Sequence, residues 1–125
     1  MLAEAMQRVF SRNPRFAWRG WASSRDELLA LLAADAPDII LMDVDMPGVD
    51  PFVLLRELTS EQLLSKVVVF SGHVRRELAE AAVDGGAYGY LSKDDDLASI
   101  CDNLERVHAG QPVMSQVVQR LLSST

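Results

Sequence analysis

Three short apolar runs, each ending on a polar side chain of a different kind, constrain this chain more than any other feature. Ile39-Ile40-Leu41-Met42 stops at Asp43, Lys66-Val67-Val68-Val69-Phe70 stops at Ser71, and Tyr88-Gly89-Tyr90-Leu91 leads into Ser92-Lys93. A short, continuous apolar run bounded by turn residues is the pattern of a strand buried on both faces, as in a parallel sheet. Open α/β sheets carry their chemistry in the loops beyond the carboxyl ends of such strands. An acid, a hydroxyl and an ammonium on three neighbouring strand ends are therefore expected to meet in one cavity.

Helical patterns separate the runs. Residues 2–12 place Leu2, Met6, Val9 and Phe10 on one stripe, and Asn13-Pro14 ends the helix. Phe16 to Ala22 reads as a strand. Ser24 with Glu27 forms a capping box for a helix from Leu28 to Ala34. Pro51 suits the first position of a helix reaching about Leu58. Arg75 to Val83 is helical, with Leu78, Ala79, Ala82 and Val83 facing inward, and Gly85-Gly86 stops it. Asp95 or Asp96 caps a helix running to His108, which Gly110 terminates. Ser115 opens a final short helix through Leu122. This alternation implies βαβ units and a parallel sheet.

The 125 residues form one domain, and 49% apolar content is enough for a core. A net charge of −6 argues against nucleic-acid binding by this chain, which normally needs a basic face. Arg8, Arg12, Arg15, Arg19 and Arg25 are spread over two elements and read as a solvated face. Cys101 has no partner for an internal disulfide and lies at helical spacing from Leu97, Ile100 and Leu104, as a small core residue would. No continuous apolar stretch of about 18 residues and no signal-peptide pattern occurs, so a cytoplasmic location is expected.

The stretches Pro37-Asp38-Ile39-Ile40-Leu41-Met42-Asp43-Val44-Asp45-Met46-Pro47-Gly48-Val49-Asp50, Val67-Val68-Val69-Phe70-Ser71-Gly72-His73, Gly86-Ala87-Tyr88-Gly89-Tyr90-Leu91-Ser92-Lys93-Asp94 and Val107-His108-Ala109-Gly110-Gln111-Pro112-Val113 resemble the CheY-like receiver domains of two-component response regulators. The resemblance is closest to the NarL/FixJ (LuxR-type) receivers. It implies a flavodoxin-like parallel sheet with helices on both faces. It further implies that Asp43 is the phosphoacceptor, Ser71 the switch hydroxyl, Tyr90 the switch aromatic and Lys93 the phosphate-binding ammonium. Such a domain is not itself an enzyme; its partner is a sensor histidine kinase.

Such receivers begin with a buried strand ending in two acidic residues. No Asp or Glu precedes Glu4 here, so that strand and its acidic pair are expected to be missing. Mg²⁺ would then have only Asp43 and Asp45 as ligands, Asp45 through its carbonyl or alternatively its side chain, and phosphorylation would be impaired. Loss of the first strand would also bare the edge of the strand at Ile39–Met42. Either the strand at Phe16 to Ala22 closes against it or a homodimer covers it. Residues 1–113 are expected to be the receiver, with 114–125 the start of a linker to an output domain through which alone DNA would be bound. The alternative function is a phosphorylation-independent interaction or dimerisation module. A hydrolase using Asp43 as nucleophile lacks the further acids it would need. His73 reads as polar surface, and Trp18 and Trp21 as packing residues.

Overall fold

A computed structural model describes residues 2–45, 50–60, 65–72, 75–115 and 118–120. It divides into two units, residues 1–37 and residues 38–125. The sequence motif Met46-Pro47-Gly48-Val49, His73, and the end of the anticipated final helix at Leu121 and Leu122 lie outside the described residues.

The first unit holds α1 (Leu2–Arg12) and α2 (Arg25–Ala34). The strand anticipated over 16–22 is absent: the backbone there is irregular. Extended residues become a strand only when a neighbour takes their hydrogen bonds. The aromatic alternation serves instead to pack on α1. Phe10 meets Phe16 edge-on, with ring centroids 5.0 Å apart, and stacks with Trp18 at 6.3 Å. Trp21, anticipated as a packing residue, is exposed. Ser24 caps α2 by accepting from the Glu27 amide at 3.2 Å. The return arm of the capping box falls one residue earlier than anticipated: Glu27 Oε2 accepts from the Ser23 amide at 2.8 Å.

The second unit is built on a sheet of four parallel strands in the order β1 (Ile39–Asp43), β2 (Lys66–Ser71), β3 (Gly89–Ser92), β4 (Val113–Met114). It also holds α3 (Pro51–Ser60), α4 (Arg76–Asp84) and α5 (Leu97–His108). This is the flavodoxin-like, CheY-type architecture. Val67 to Ser71 and all of β3 are buried, which requires cover on both sheet faces. β1 differs. It is the edge strand, and only Ile40 and Met42 are buried, whereas Ile39 and Leu41 are partly exposed. The rearrangement in which residues 16–22 would add a strand beside β1 is therefore not observed.

Local chemistry explains each helix. Asp50 Oδ1 accepts from the Phe52 and Val53 amides at 3.0 and 3.3 Å, and Pro51 follows as the first helical residue of α3. Leu54, Leu55 and Leu58 form its buried stripe. α3 and α4 meet closely where α4 ends: a Cβ on Gly85 would lie 2.7 Å from Leu55 Cδ2, and Thr59 Oγ1 donates to the Gly85 carbonyl at 3.0 Å. Gly86 then turns the chain with φ +91°. In α4, Ala79 and Ala82 are buried, but Val83, anticipated as inward, is 52% exposed. Asp96 caps α5 by accepting from the Ser99 amide at 2.8 Å. Cys101 is buried with Ile100, Leu104 and Val107, while Leu97 is exposed. β4 was not anticipated. It lies so close to β3 that a Cβ on Gly89 would meet Val113 Cγ2 at 2.9 Å. Ser115 Oγ accepts from the Val118 amide at 3.3 Å, and residues 118–120 are helical.

Candidate functional site

Because the strands are parallel, their carboxyl ends share one edge of the sheet. Asp43 pairs in register with Phe70, and Ser71 with Ser92. Asp43 therefore ends β1, Ser71 ends β2, and Lys93 follows the last residue of β3. Lys93 reaches back across the edge. Its Nζ lies 2.9 and 3.0 Å from the two carboxylate oxygens of Asp43 and 2.9 Å from Asp45 Oδ2. The acid and the ammonium anticipated at the strand tips do converge.

The Asp45 carboxylate enters the site, the less expected of its two oxygen donors. Asp43 Oδ1 accepts from the Asp45 amide at 2.8 Å, a side-chain-to-backbone turn that aims the Asp45 side chain inward. Asp45 Oδ2 accepts from Lys93 Nζ and from the Gly72 amide, the latter at 3.1 Å. The Gly72 amide was not anticipated as a participant. The Asp-x-Asp spacing was visible in the sequence, but the direction of the second carboxylate depends on this turn.

Burial opposes charge on Lys93, but the Asp43 and Asp45 carboxylates outweigh it and hold the ammonium above the usual lysine range. The turn that presents Lys93 is itself fixed. Ser92 Oγ accepts from the Asp94 amide and Asp95 Oδ2 from the Ser92 amide, each at 3.0 Å. Burial raises the Asp95 carboxyl above its usual range; the bond from Ser92 opposes the shift, and the Asp96 and Asp94 charges add to it.

Ser71 is fully buried. By register and by the two-residue strand period it shares a sheet face with Ser92 and Tyr90. Tyr90 is 1% exposed, so its ring lies inward. Its hydroxyl is buried with no hydrogen-bond partner of good geometry, although the Ser71 hydroxyl is close enough to influence it. Burial raises the phenol above its usual range, with Ser71 opposing the shift and the Asp45 charge adding to it.

Among the described residues no group of three or more His, Cys, Asp or Glu side chains gathers as a metal site. The two carboxylates that converge are hard oxygen donors, suited to a hard cation, but both already hold the Lys93 ammonium. They would suit a hard cation such as Mg²⁺, without forming a pre-formed cage by themselves. His108, which lies 3.5 Å from Asp38, is exposed and remote in sequence from these tips. No helix among the described residues is long and apolar enough to cross a membrane.

A parallel sheet whose carboxyl edge sets two carboxylates against an ammonium defines an α/β domain with a charged site at its strand tips. The response regulator receiver domain model matches residues 1–105, and the chain belongs to that family. It is 30% identical over all 125 residues to the nitrate/nitrite response regulator protein NarL of Escherichia coli K12, covering 58% of that protein. It is 33% identical over 95 residues to the transcriptional activator protein ExaE of Pseudomonas putida, matching 76% of this chain and 44% of that one. The chain thus spans about half the length of such relatives. Among solved structures, a LuxR-family two-component response regulator from Aurantimonas sp. SI85-9A1 superposes with a TM-score of 0.88 at 27% identity, over 96% of this chain and 86% of that one. A response regulator protein from Burkholderia pseudomallei, solved with a phosphorylated aspartic acid, a calcium ion and citrate, gives 0.72 at 27% identity, over 87% and 65% of the two chains.

Proposed function

We propose that this receiver domain takes a phosphoryl group onto Asp43 from a sensor histidine kinase. The observation that carries the reading is the Lys93 ammonium, which touches both oxygens of Asp43 at 2.9 and 3.0 Å. An Asp43 oxygen attacks phosphorus, the bond from phosphorus to the donor histidine nitrogen breaks, and that nitrogen takes up a proton. The product is an acyl phosphate. Phosphoryl transfer depends mostly on positioning and on neutralising charge, and Lys93 does both from a fixed turn. Asp43 and Asp45 are the residues that would hold Mg²⁺, which supplies further charge neutralisation when bound. With Lys93 competing for this pair, magnesium-dependent phosphorylation is impaired. The phosphorylated aspartic acid in the Burkholderia pseudomallei relative supports the same chemistry here.

Ser71 and Tyr90 are the switch residues of this reading. A phosphoryl oxygen would draw the Ser71 hydroxyl, and the space beside it would bias the Tyr90 ring. The net charge of −6 makes direct DNA contact a property of an output domain. Homodimerisation in the cytoplasm completes the proposal. A second reading, an interaction module independent of phosphorylation, is favoured by one observation: the Tyr90 ring already takes the buried position, 1% exposed.

Labelling with a small phosphodonor such as acetyl phosphate, with and without Mg²⁺, tests the proposal. Wild type is expected to take up one phosphoryl group slowly, D43N none, and K93A less than wild type. An unlabelled wild type, or label retained by D43N, would contradict it.

A further inference from the structure

The Asp45 carboxylate stands where an added anion would stand. One of its oxygens, Oδ2, accepts from the Gly72 amide at 3.1 Å and from Lys93 Nζ at 2.9 Å. These donors come from two different strand tips, and Lys93 is also bound to the Asp43 carboxylate. A backbone amide and an ammonium aimed at one point are the donor chemistry that recognises a phosphoryl oxygen.

The position is filled and not merely approached. A Cβ on Gly72 would lie 3.5 Å from Asp45 Oδ2 and 3.5 Å from Lys93 Cδ, ordinary van der Waals contact with both. The loop enforces the occupancy, because the Asp45 amide is itself bound to Asp43 Oδ1 at 2.8 Å. A phosphoryl group on Asp43 carries nearly two negative charges and needs the same donors. The Gly72 N–H is already given to Asp45 and Lys93 already holds two carboxylates, so a phosphoryl group competes with the Asp45 carboxylate for both donors, and repulsion between the like charges sharpens that competition. Asp45 must therefore leave, and its side chain, 35% exposed, has a route to solvent.

We propose that the Asp45 carboxylate is a built-in stand-in for the phosphoryl group: it occupies the anion cradle formed by Gly72 and Lys93, and it limits how readily that cradle accepts a real phosphoryl group. Asp45 is thus a positioning residue that acts through Lys93 and the Gly72 amide. The inference rests on the receiver reading given above for its biological use, but the occupied cradle is a property of the geometry alone.

The test is a titration of the intact chain with inorganic phosphate, without divalent cation and at constant ionic strength, following the Gly72 amide resonance by NMR. Wild type, D45N and D94N are compared. D94N removes the same charge beside Lys93 without touching the cradle. D45N is expected to respond at phosphate concentrations about tenfold lower than wild type, the worth of one charge-assisted hydrogen bond regained, and D94N to stay close to wild type. Unchanged amide resonances elsewhere confirm that D45N is folded. A D45N response no tighter than wild type, or one matched by D94N, overturns the proposal. Acetyl phosphate labelling of the same proteins separates the two readings. Tighter phosphate binding by D45N with no Asp43 label in either protein would remove the acceptor reading and still support the role of Asp45.

Discussion

One ammonium, on Lys93, holds two carboxylates, and the balance among these three groups governs the chemistry at the sheet edge. Neither carboxylate alone would draw the other into the cavity, because like charges at close range repel. Lys93 lets Asp43 and Asp45 converge. Beside them Tyr90 presents a different situation: a buried hydroxyl with no well-made hydrogen bond. A buried unsatisfied hydroxyl costs about 1 kcal/mol or more, so removing it while keeping the ring should not destabilise the fold. Y90F is expected to equal or exceed wild type in denaturant midpoint, by up to about 1 kcal/mol. A loss of that size would instead show that the hydroxyl is bound to Ser71 in solution.

At the scale of elements, helix ends and strand tips follow the sequence where the controlling chemistry is local. Asp96 as cap, Gly86 as terminator and the buried stripe around Cys101 were all legible in this way. So was the placing of Asp43 and Lys93, because apolar runs with polar ends fix which strand ends share an edge. What was not legible depended on partners far along the chain. The 16–22 segment has strand-like alternation, yet Phe16 and Trp18 pack on Phe10 and no ladder forms. β4 is only Val113–Met114, too short to give a period, and exists because the β3 edge offers hydrogen bonds: the Ser115 amide donates to the Tyr90 carbonyl at 3.0 Å. The side-chain direction of Asp45 depended on a turn. Two glycines test the local rules. Gly86 and Gly110 both have φ +91°, but a Cβ on Gly86 would meet Thr59 Cγ2 at 3.0 Å, whereas a Cβ on Gly110 meets nothing within 4 Å. G110A should cost about 1 kcal/mol from the left-handed backbone alone, and G86A more. Equal denaturant midpoints for the two variants would contradict this.

For the whole molecule, the site is coupled to stability through protons. Lys93 has a raised folded-state value, so its contribution is complete below the ordinary lysine range and is lost as pH rises through the raised value. Asp95 acts in the acidic range. Its carboxyl is also raised, so the folded chain binds its proton more readily than the unfolded chain, and stability falls as pH climbs through that window. The sheet that carries these groups is closed on the β3 side by β4, and β1 is its other edge. At the tips of β1, β2 and β3, Asp43, Asp45 and Lys93 stay partly open to solvent, while Ser71 and Ser92 are buried.

The central claim is that Lys93 binds Asp43 and Asp45 together at this edge, and titration of the Lys93 Cε resonance by NMR in wild type, D43N and D45N tests it most directly. The predicted result is a wild-type midpoint above the ordinary lysine range that falls in each variant. A midpoint in the ordinary lysine range, the same in all three proteins, would contradict it.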